Sequence, residues 1–237
     1  MNAPFEYPGS ELDVFAGAAR WKRYFAAHVR PFLRGRVLEV GAGIGAVTRT
    51  LCTGSEEAWT CLEPDARLAA RLRDTSGRPG PAGLPPVRVL NGTIASLSPE
   101  DVFDTILYVD VLEHIDDDAQ ELRGASRLLG PGGHLIVLSP AHRWLFSPFD
   151  EAIGHRRRYN CSSLRAAGPR DLTLVRLRYL DSVGLLASLA NRLVLRSRLP
   201  SARQIGLWDR VMVPMSQVLD PLLGYTLGKS LIAVWRR

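Results

Sequence analysis

The stretch VLEVGAGIGAV, residues 37 to 47, constrains the fold more than any other part of the chain. Apolar residues lead to a carboxylate at Glu39, and glycines then stand at Gly41, Gly43 and Gly45. The apolar run reads as a buried strand. The glycines read as a tight turn that lets backbone approach a ligand closely. Three ligands suit such a turn: a dinucleotide pyrophosphate, the phosphates of a nucleoside triphosphate, or a cofactor with no phosphate.

A triphosphate loop needs Lys-Ser/Thr after its last glycine. Here Gly45 is followed by Ala46 and Val47, so that ligand is excluded. The dinucleotide pattern G-x-G-x-x-G/A is met by Gly41, Gly43 and Ala46. Glu39 weighs against it. A carboxylate at the strand's C-terminal edge would repel pyrophosphate and attract an ammonium. S-adenosyl-L-methionine (SAM) carries an ammonium, a sulfonium and no phosphate. Glu63 closes the next apolar run and suits a ribose with both hydroxyls free, which serves SAM and NAD alike.

The remaining pattern alternates strand and helix. A helix is predicted over 11–33, then strands at 36–40, 58–62, 87–90, 104–109 and 134–139. Helices are predicted over 45–52, up to about Arg73, and over 117–129, the last ended by GPGG at 130–133. SGRPGPAGLPP, residues 76–86, reads as a loop. Such alternation gives a parallel sheet covered by helices on both faces. Beyond Ser139 the pattern changes. A strand over 172–179, helices over 185–195 and 208–223 (the latter broken at Pro214), and a last strand over 229–235 are expected, the two strands forming an antiparallel hairpin.

LEVGAGIG (38–45), CLEPD (61–65), FDTILYVDVLEHIDDD (103–118) and LLGPGGHLIVLSPA (128–141) occur in the order and spacing of class I SAM-dependent methyltransferases, which the chain resembles over roughly residues 30–141. The resemblance implies a Rossmann-like α/β fold with sheet order 3-2-1-4-5-7-6 and strand 7 antiparallel. It implies one domain: an N-terminal helical cap (1–34), a SAM-binding core (35–141), and an acceptor-side segment with a C-terminal hairpin (142–237). It places Gly41, Gly43 and Gly45 beneath the methionine part of the cofactor and Glu39 on its amino group. It places Glu63 on the ribose, and Asp110 and Val111 beside the methionine and the methyl. The family's Gly-Asp after strand three is replaced here by Asn91-Gly92-Thr93-Ile94, so Thr93 and Ile94 are the candidates for the adenine.

The segment 139–159 further resembles a bacterial subgroup with a D-x-x-x-G-H-x-R-R-Y pattern and a late G-x-S-L-I-A-V strand. Residues here line the acceptor side in this fold, so the segment 142–159 is expected to close over the acceptor. His155 is the candidate general base, with Asp150 setting its tautomer and His142 as the alternative. Arg157, Arg158 and Tyr159 are the candidates for substrate binding. The implied reaction is SAM-dependent methyl transfer to a small-molecule, sugar- or lipid-linked acceptor, oxygen preferred. The alternatives are a non-catalytic SAM-binding protein and a nicotinamide-dependent oxidoreductase.

Composition narrows the partners. Net charge is +6, and Lys22 and Lys229 are the only lysines. Between His155 and Arg210 stand twelve Arg against three Asp and no Glu. Such a segment suits an anionic acceptor or weak contact with a membrane surface, helped by the apolar stretch 184–196. No nucleic-acid motif accompanies it. The start MNAPFEYPGSELD lacks the features of a signal peptide, and the three cysteines form no CxxC. Cytoplasmic location and metal-free transfer are expected.

Overall fold

The apolar runs occupy the middle of a seven-stranded sheet in the computed structural model, which describes residues 6–9, 12–78, 83, 85–190 and 200–237. The strands are β1 (Arg36–Val40), β2 (Ala58–Glu63), β3 (Arg88–Asn91), β4 (Phe103–Val109), β5 (Leu129–Pro140), β6 (Thr173–Leu180) and β7 (Ser230–Arg236). Their order is β3-β2-β1-β4-β5-β7-β6. The first five pair in parallel, and β7 runs antiparallel to both β5 and β6. This is the order, with its one reversed strand, that the resemblance implied.

Both faces of the sheet are covered, so its central strands are apolar throughout rather than alternating. Val37, Leu107, Ile136, Leu138, Ile232 and Val234 form one buried face, packed with Trp21, Phe25 and Val29 of α2 (Ala19–Val29). Leu38, Ile106, Tyr108, Leu135, Val137 and Leu231 form the other, packed with Leu122 and Ala125 of α5 (Asp118–Arg127) and Leu164 of α7 (Cys161–Ala167). The other helices are α1 (Leu12–Ala16), α3 (Thr48–Leu51), α4 (Ala66–Thr75), α6 (Pro148–Ala152), α8 (Ser182–Ala190), α9 (Ala202–Leu207) and α10 (Val213–Leu222).

Several boundaries differ from expectation, each for a local reason. The helix predicted over 11–33 divides into α1, α2 and a 3-10 turn at Arg30–Phe32, which contains Pro31. The helix predicted from Gly45 shrinks to α3, because Gly45 at φ +75° still belongs to the turn. GPGG lies inside β5 rather than before it. Leu129 already pairs with Phe103, the glycines bulge out, and regular pairing resumes between His134 and Thr105. Pro214 does not break the last helix. It sits in the first turn of α10, where no N–H is required, after a π turn at Trp208–Met212. The helix predicted over 185–195 begins earlier, as α8, and its second half lies outside the described residues.

Three buried aspartates fasten the C-terminal helices over the sheet. Asp220 accepts from Tyr24 Oη (2.6 Å), Asp181 N (2.6 Å) and Ser182 N (3.0 Å). Asp181 accepts from Ser216 Oγ (2.6 Å), Trp208 Nε1 (2.7 Å) and Gly184 N (3.0 Å). Asp209 accepts from Trp21 N (2.8 Å) and Arg20 N (3.2 Å). α2, α8 and α10 are thus joined through carboxylates whose lone pairs are well used. Asp220→Ala strands two buried N–H groups and a tyrosyl hydroxyl, so it is expected to lower stability by about 3–5 kcal/mol. Urea unfolding checks this, and a loss under 1 kcal/mol would mean that the network does not hold the helices.

Candidate active site

The sheet order reverses between β1 and β4, and loops leaving these two strands diverge to opposite faces. A ligand crevice forms at such a point. Here it is a cavity of about 830 Å³ reached by Val40, Glu63 and Val109 at the strand ends. α1, α2, α8 and the π turn wall it with Phe15, Trp21, Ala187 and Trp208.

At the glycine end, the turn after β1 is held by β2. Gly41 and Ala42 donate to Leu62 O, and Gly43 N donates to Glu63 Oε2 at 2.7 Å. Gly41, Gly43 and Gly45 all have positive φ. A Cβ on Gly41 would lie 2.6 Å from Val111 Cγ2, whereas one on Gly43 would meet only Leu12 at 3.7 Å. Gly41 is therefore required by packing, and Gly43 by backbone conformation and by the cavity it borders. Gly45 closes the turn onto Ala42 O and does not reach the cavity.

Glu63 borders the cavity, buried and with each oxygen already accepting one N–H, from Gly43 and from Asp65. A carboxylate has about four acceptor sites, which leaves two for ligand hydroxyls. Burial pushes its pKa up, and the two N–H groups draw it down. Thr93, Asp110 and Val111 also line the cavity. Asp110 holds a strained φ of +54° at the end of β4. Its carboxyl is open to the cavity, and desolvation by the surrounding walls pushes it up to about 6, against the pull of His155, Lys229 and Arg158.

Two expected cofactor residues point elsewhere. Glu39 lies under the turn, where Thr48 Oγ1 (2.7 Å) and Trp59 Nε1 (2.9 Å) donate to it. It faces the core because it shares the side of β1 taken by Val37. Ile94 turns into the core beside Leu62.

At the other end, Asp150 is fully buried and acts as a hub. It accepts from Ser147 N and Oγ (both 2.9 Å), from Arg158 Nε (2.8 Å) and Nη2 (3.0 Å), and pairs with His155 Nδ1 (2.8 Å). The expected Asp150–His155 contact is therefore formed. His155 Nε2 lies 3.7 Å from Glu113 Oε1. Burial draws the imidazole pKa down, but Asp150 and Glu113 outweigh it and the net shift is upward.

The other acceptor candidates are placed as braces. His142 Nε2 is 3.0 Å from Gly228 O, and its ring stacks on Tyr179 outside the cavity. Arg157 pairs with Asp118 at 2.9 Å, and Tyr159 Oη donates to the same carboxylate at 2.7 Å. Neither reaches the cavity, whereas Arg158 borders it with its guanidinium committed to Asp150.

Four cavity residues were not singled out from the sequence. Lys22 donates to Phe15 O and Ala16 O, and burial lowers its pKa to about 8. Lys229 lies 3.6 Å from the centroid of the Trp208 ring and 3.7 Å from Asp181. Glu113 and His114 sit in the 3-10 turn after β4. Their signal was present: a Glu-His pair directly after a strand end, and the only two lysines of an Arg-rich chain.

Comparisons with known proteins bear on the family and the fold. Residues 38–135 match the family model described as a methyltransferase domain. A demethylmenaquinone methyltransferase of Tropheryma whipplei (strain Twist) is 33% identical over 137 residues, 57% of this chain and 54% of the relative. A tRNA U34 carboxymethyltransferase of Syntrophotalea carbinolica is 28% identical over 138 residues, 57% of this chain and 41% of the relative. The chain thus spans about half the length of the curated relatives it matches. Among solved structures, a SAM-dependent methyltransferase from Mesorhizobium loti superposes with a TM-score of 0.62 at 16% identity, over 93% of this chain and 99% of that one. The N-methyltransferase NodS of Bradyrhizobium japonicum WM9, in complex with S-adenosyl-L-homocysteine, gives 0.58 at 16% identity, over 93% and 88%. These structural likenesses show the fold. Residues 38–135 are thus similar to a methyltransferase domain, set in a fold shared with solved methyltransferase structures.

Glu39 gives the site a measurable pH signature. Burial pushes it up to about 7, with the Thr48 and Trp59 hydrogen bonds drawing it down. Unfolded, it releases its proton near 4.5. Between those values the folded state binds more protons, so stability falls as pH rises and levels off above about 7. Glu39→Gln is expected to flatten that part of the profile and to gain about 1–3 kcal/mol relative to wild type at pH 8 over pH 5. Chemical denaturation across pH checks it, and parallel profiles for the two proteins would contradict it.

Proposed function

We propose that the chain transfers a methyl group from SAM to an oxygen of a small-molecule, sugar- or lipid-linked acceptor. The observation that carries this is one continuous cavity joining the glycine turn and Glu63 to the polar end at Glu113 and His155. Its volume lies in the upper part of the range for small-molecule pockets, which suits a cofactor and an acceptor side by side.

SAM, when bound, would supply an electrophilic methyl to the acceptor oxygen, whose hydroxyl proton would pass to solvent as S-adenosyl-L-homocysteine is left behind. Glu63 receives the ribose hydroxyls on its two remaining acceptor sites. Gly41 and Gly43 give the methionine part a floor without side chains. Asp110, rather than Glu39, offers the carboxylate for its ammonium. Thr93 borders the adenine. The walls from α1, α8 and the π turn exclude water and hold the acceptor in line, which is the main requirement of such a displacement.

A lipid-linked acceptor is supported by the surface. Leu207, Val211, Met215, Val218 and Leu222 are exposed and recur every three to four residues along α9, the π turn and α10. Trp208 and Met212 of the same run border the cavity. This would bring the cavity close to a membrane surface. Val218→Asp with Leu222→Asp should then reduce co-sedimentation with anionic vesicles at least fivefold; equal binding, or no binding by wild type, removes this arm of the reading.

Calorimetric titration tests the cofactor site. SAM is expected to bind in the micromolar range. Glu63→Gln, which preserves the shape of the side chain that holds the turn, should weaken binding by about 1.5–3 kcal/mol. The unliganded variant should stay folded but melt lower, because the amide nitrogen faces either the Gly43 or the Asp65 N–H. Absence of SAM binding at 1 mM would sink the proposal. Mass spectrometry of products from hydroxylated quinol, glycoside and polyprenyl acceptors then decides the class, and methylation of nitrogen alone would overturn the preference for oxygen.

A further inference from the structure

The fold brings together three groups that the sequence keeps apart. Glu113 and His114 follow β4, and His155 comes from the loop after α6. One donor atom from each lies within 4.8 Å of the other two. We infer that Glu113, His114 and His155 bind a divalent transition-metal ion at the acceptor end of the cavity.

The first support is Glu113 itself. Its side chain is wholly buried, yet neither carboxyl oxygen has a hydrogen-bond partner among the described residues. Buried carboxylates are ordinarily paired or coordinate metals. The cations bordering the same cavity are committed elsewhere, Arg158 to Asp150 and Lys229 to Asp181 and Trp208. His155 Nε2 stands near, at 3.7 Å, and the buried Ser139 hydroxyl faces the same carboxyl.

The second support is how the histidines are held. His155 Nδ1 is fixed by Asp150 at 2.8 Å, which leaves Nε2 directed at Glu113. A carboxylate behind a histidine is the usual device for orienting a ligating imidazole. His114 packs edge-on against His155, with ring centroids 4.7 Å apart.

The third support is the fit. In a tetrahedral site with bonds near 2.1 Å, donors stand about 3.4 Å apart. Two imidazoles and one carboxylate suit zinc, manganese, cobalt or ferrous iron better than magnesium or calcium, which prefer oxygen throughout. Three protein ligands also leave a position for an acceptor oxygen, whose pKa the ion would lower. The binding site stands on these side chains alone; its use in holding an acceptor rests on the proposed function.

The test uses Co²⁺ as probe on metal-free protein without SAM. Visible absorption should reveal one equivalent bound, displaced by Zn²⁺, and proton NMR should show shifted imidazole N–H signals. Glu113→Gln and His155→Gln should each weaken binding at least 30-fold. His134→Gln, altering a histidine on β5, should bind as wild type. If either ligand variant proves unfolded, the wild-type spectrum decides alone: no d–d bands at 200 µM Co²⁺, or bands without imidazole signals, would overturn the inference. So would Co²⁺ binding unchanged by Glu113→Gln. SAM titration of the same metal-free protein keeps this result separate from the cofactor site, which should bind with or without Co²⁺.

Discussion

The hydrogen bond from Gly43 N to the Glu63 carboxylate ties the turn after β1 to the end of β2, and the shape of the cavity follows from it. A glycine turn at positive φ has few contacts of its own. Here it is suspended between Leu62 O and Glu63 on one side and Val111 on the other. The carboxylate proposed for a ligand's ribose therefore also shapes the turn. On that proposal, binding and local folding share one side chain. The conservative replacement with glutamine thus reads binding more cleanly than truncation does.

The opposite end of the cavity depends on a second carboxylate. Asp150 caps α6 through Ser147, receives both arms of Arg158, and fixes His155. With so many donors its pKa is held down to about 2, although burial alone would raise it. It stays ionised across the physiological range. Glu113 is the contrast: burial pushes it up to about 8, with His155 drawing it down and Asp110 adding to the rise. One carboxylate is saturated with donors and the other is poorly supplied with them, within one imidazole of each other. Such unequal environments are found where a site is prepared for a ligand rather than for stability alone.

The strand sequence of the sheet was legible because its central strands are buried on both faces and read as continuous apolar runs, from VLEV in β1 to HLIVLS in β5. The turn was legible because positive φ selects glycine. Side-chain direction was harder to read. Glu39 was taken to face the ligand, yet strand alternation puts it with Val37 on the side of Thr48 and Trp59. Glu113 and His114 were overlooked for a different reason. Their partner His155 lies far along the chain, and only the closure of the loop after β5 onto the loop after β4 brings the three together. No local period records that closure.

The arginine excess between His155 and Arg210 suits an anionic acceptor or membrane surface. Five of its twelve arginines are engaged within the described residues. Arg156 reaches Asp116 at 3.2 Å and Arg157 reaches Asp118 at 2.9 Å, so the acidic cluster after β4 receives the basic cluster after β5. Arg158 turns inward to Asp150. Arg176 and Arg178 lie over the rings of Phe32 and Tyr225. The D-x-x-x-G-H-x-R-R-Y pattern is then intelligible as a brace. Asp150 anchors it, and Gly154 makes its bend at φ +83°. Arg157 and Tyr159 fasten it to Asp118. What the brace holds in place, facing Glu113 across the acceptor end of the cavity, is His155.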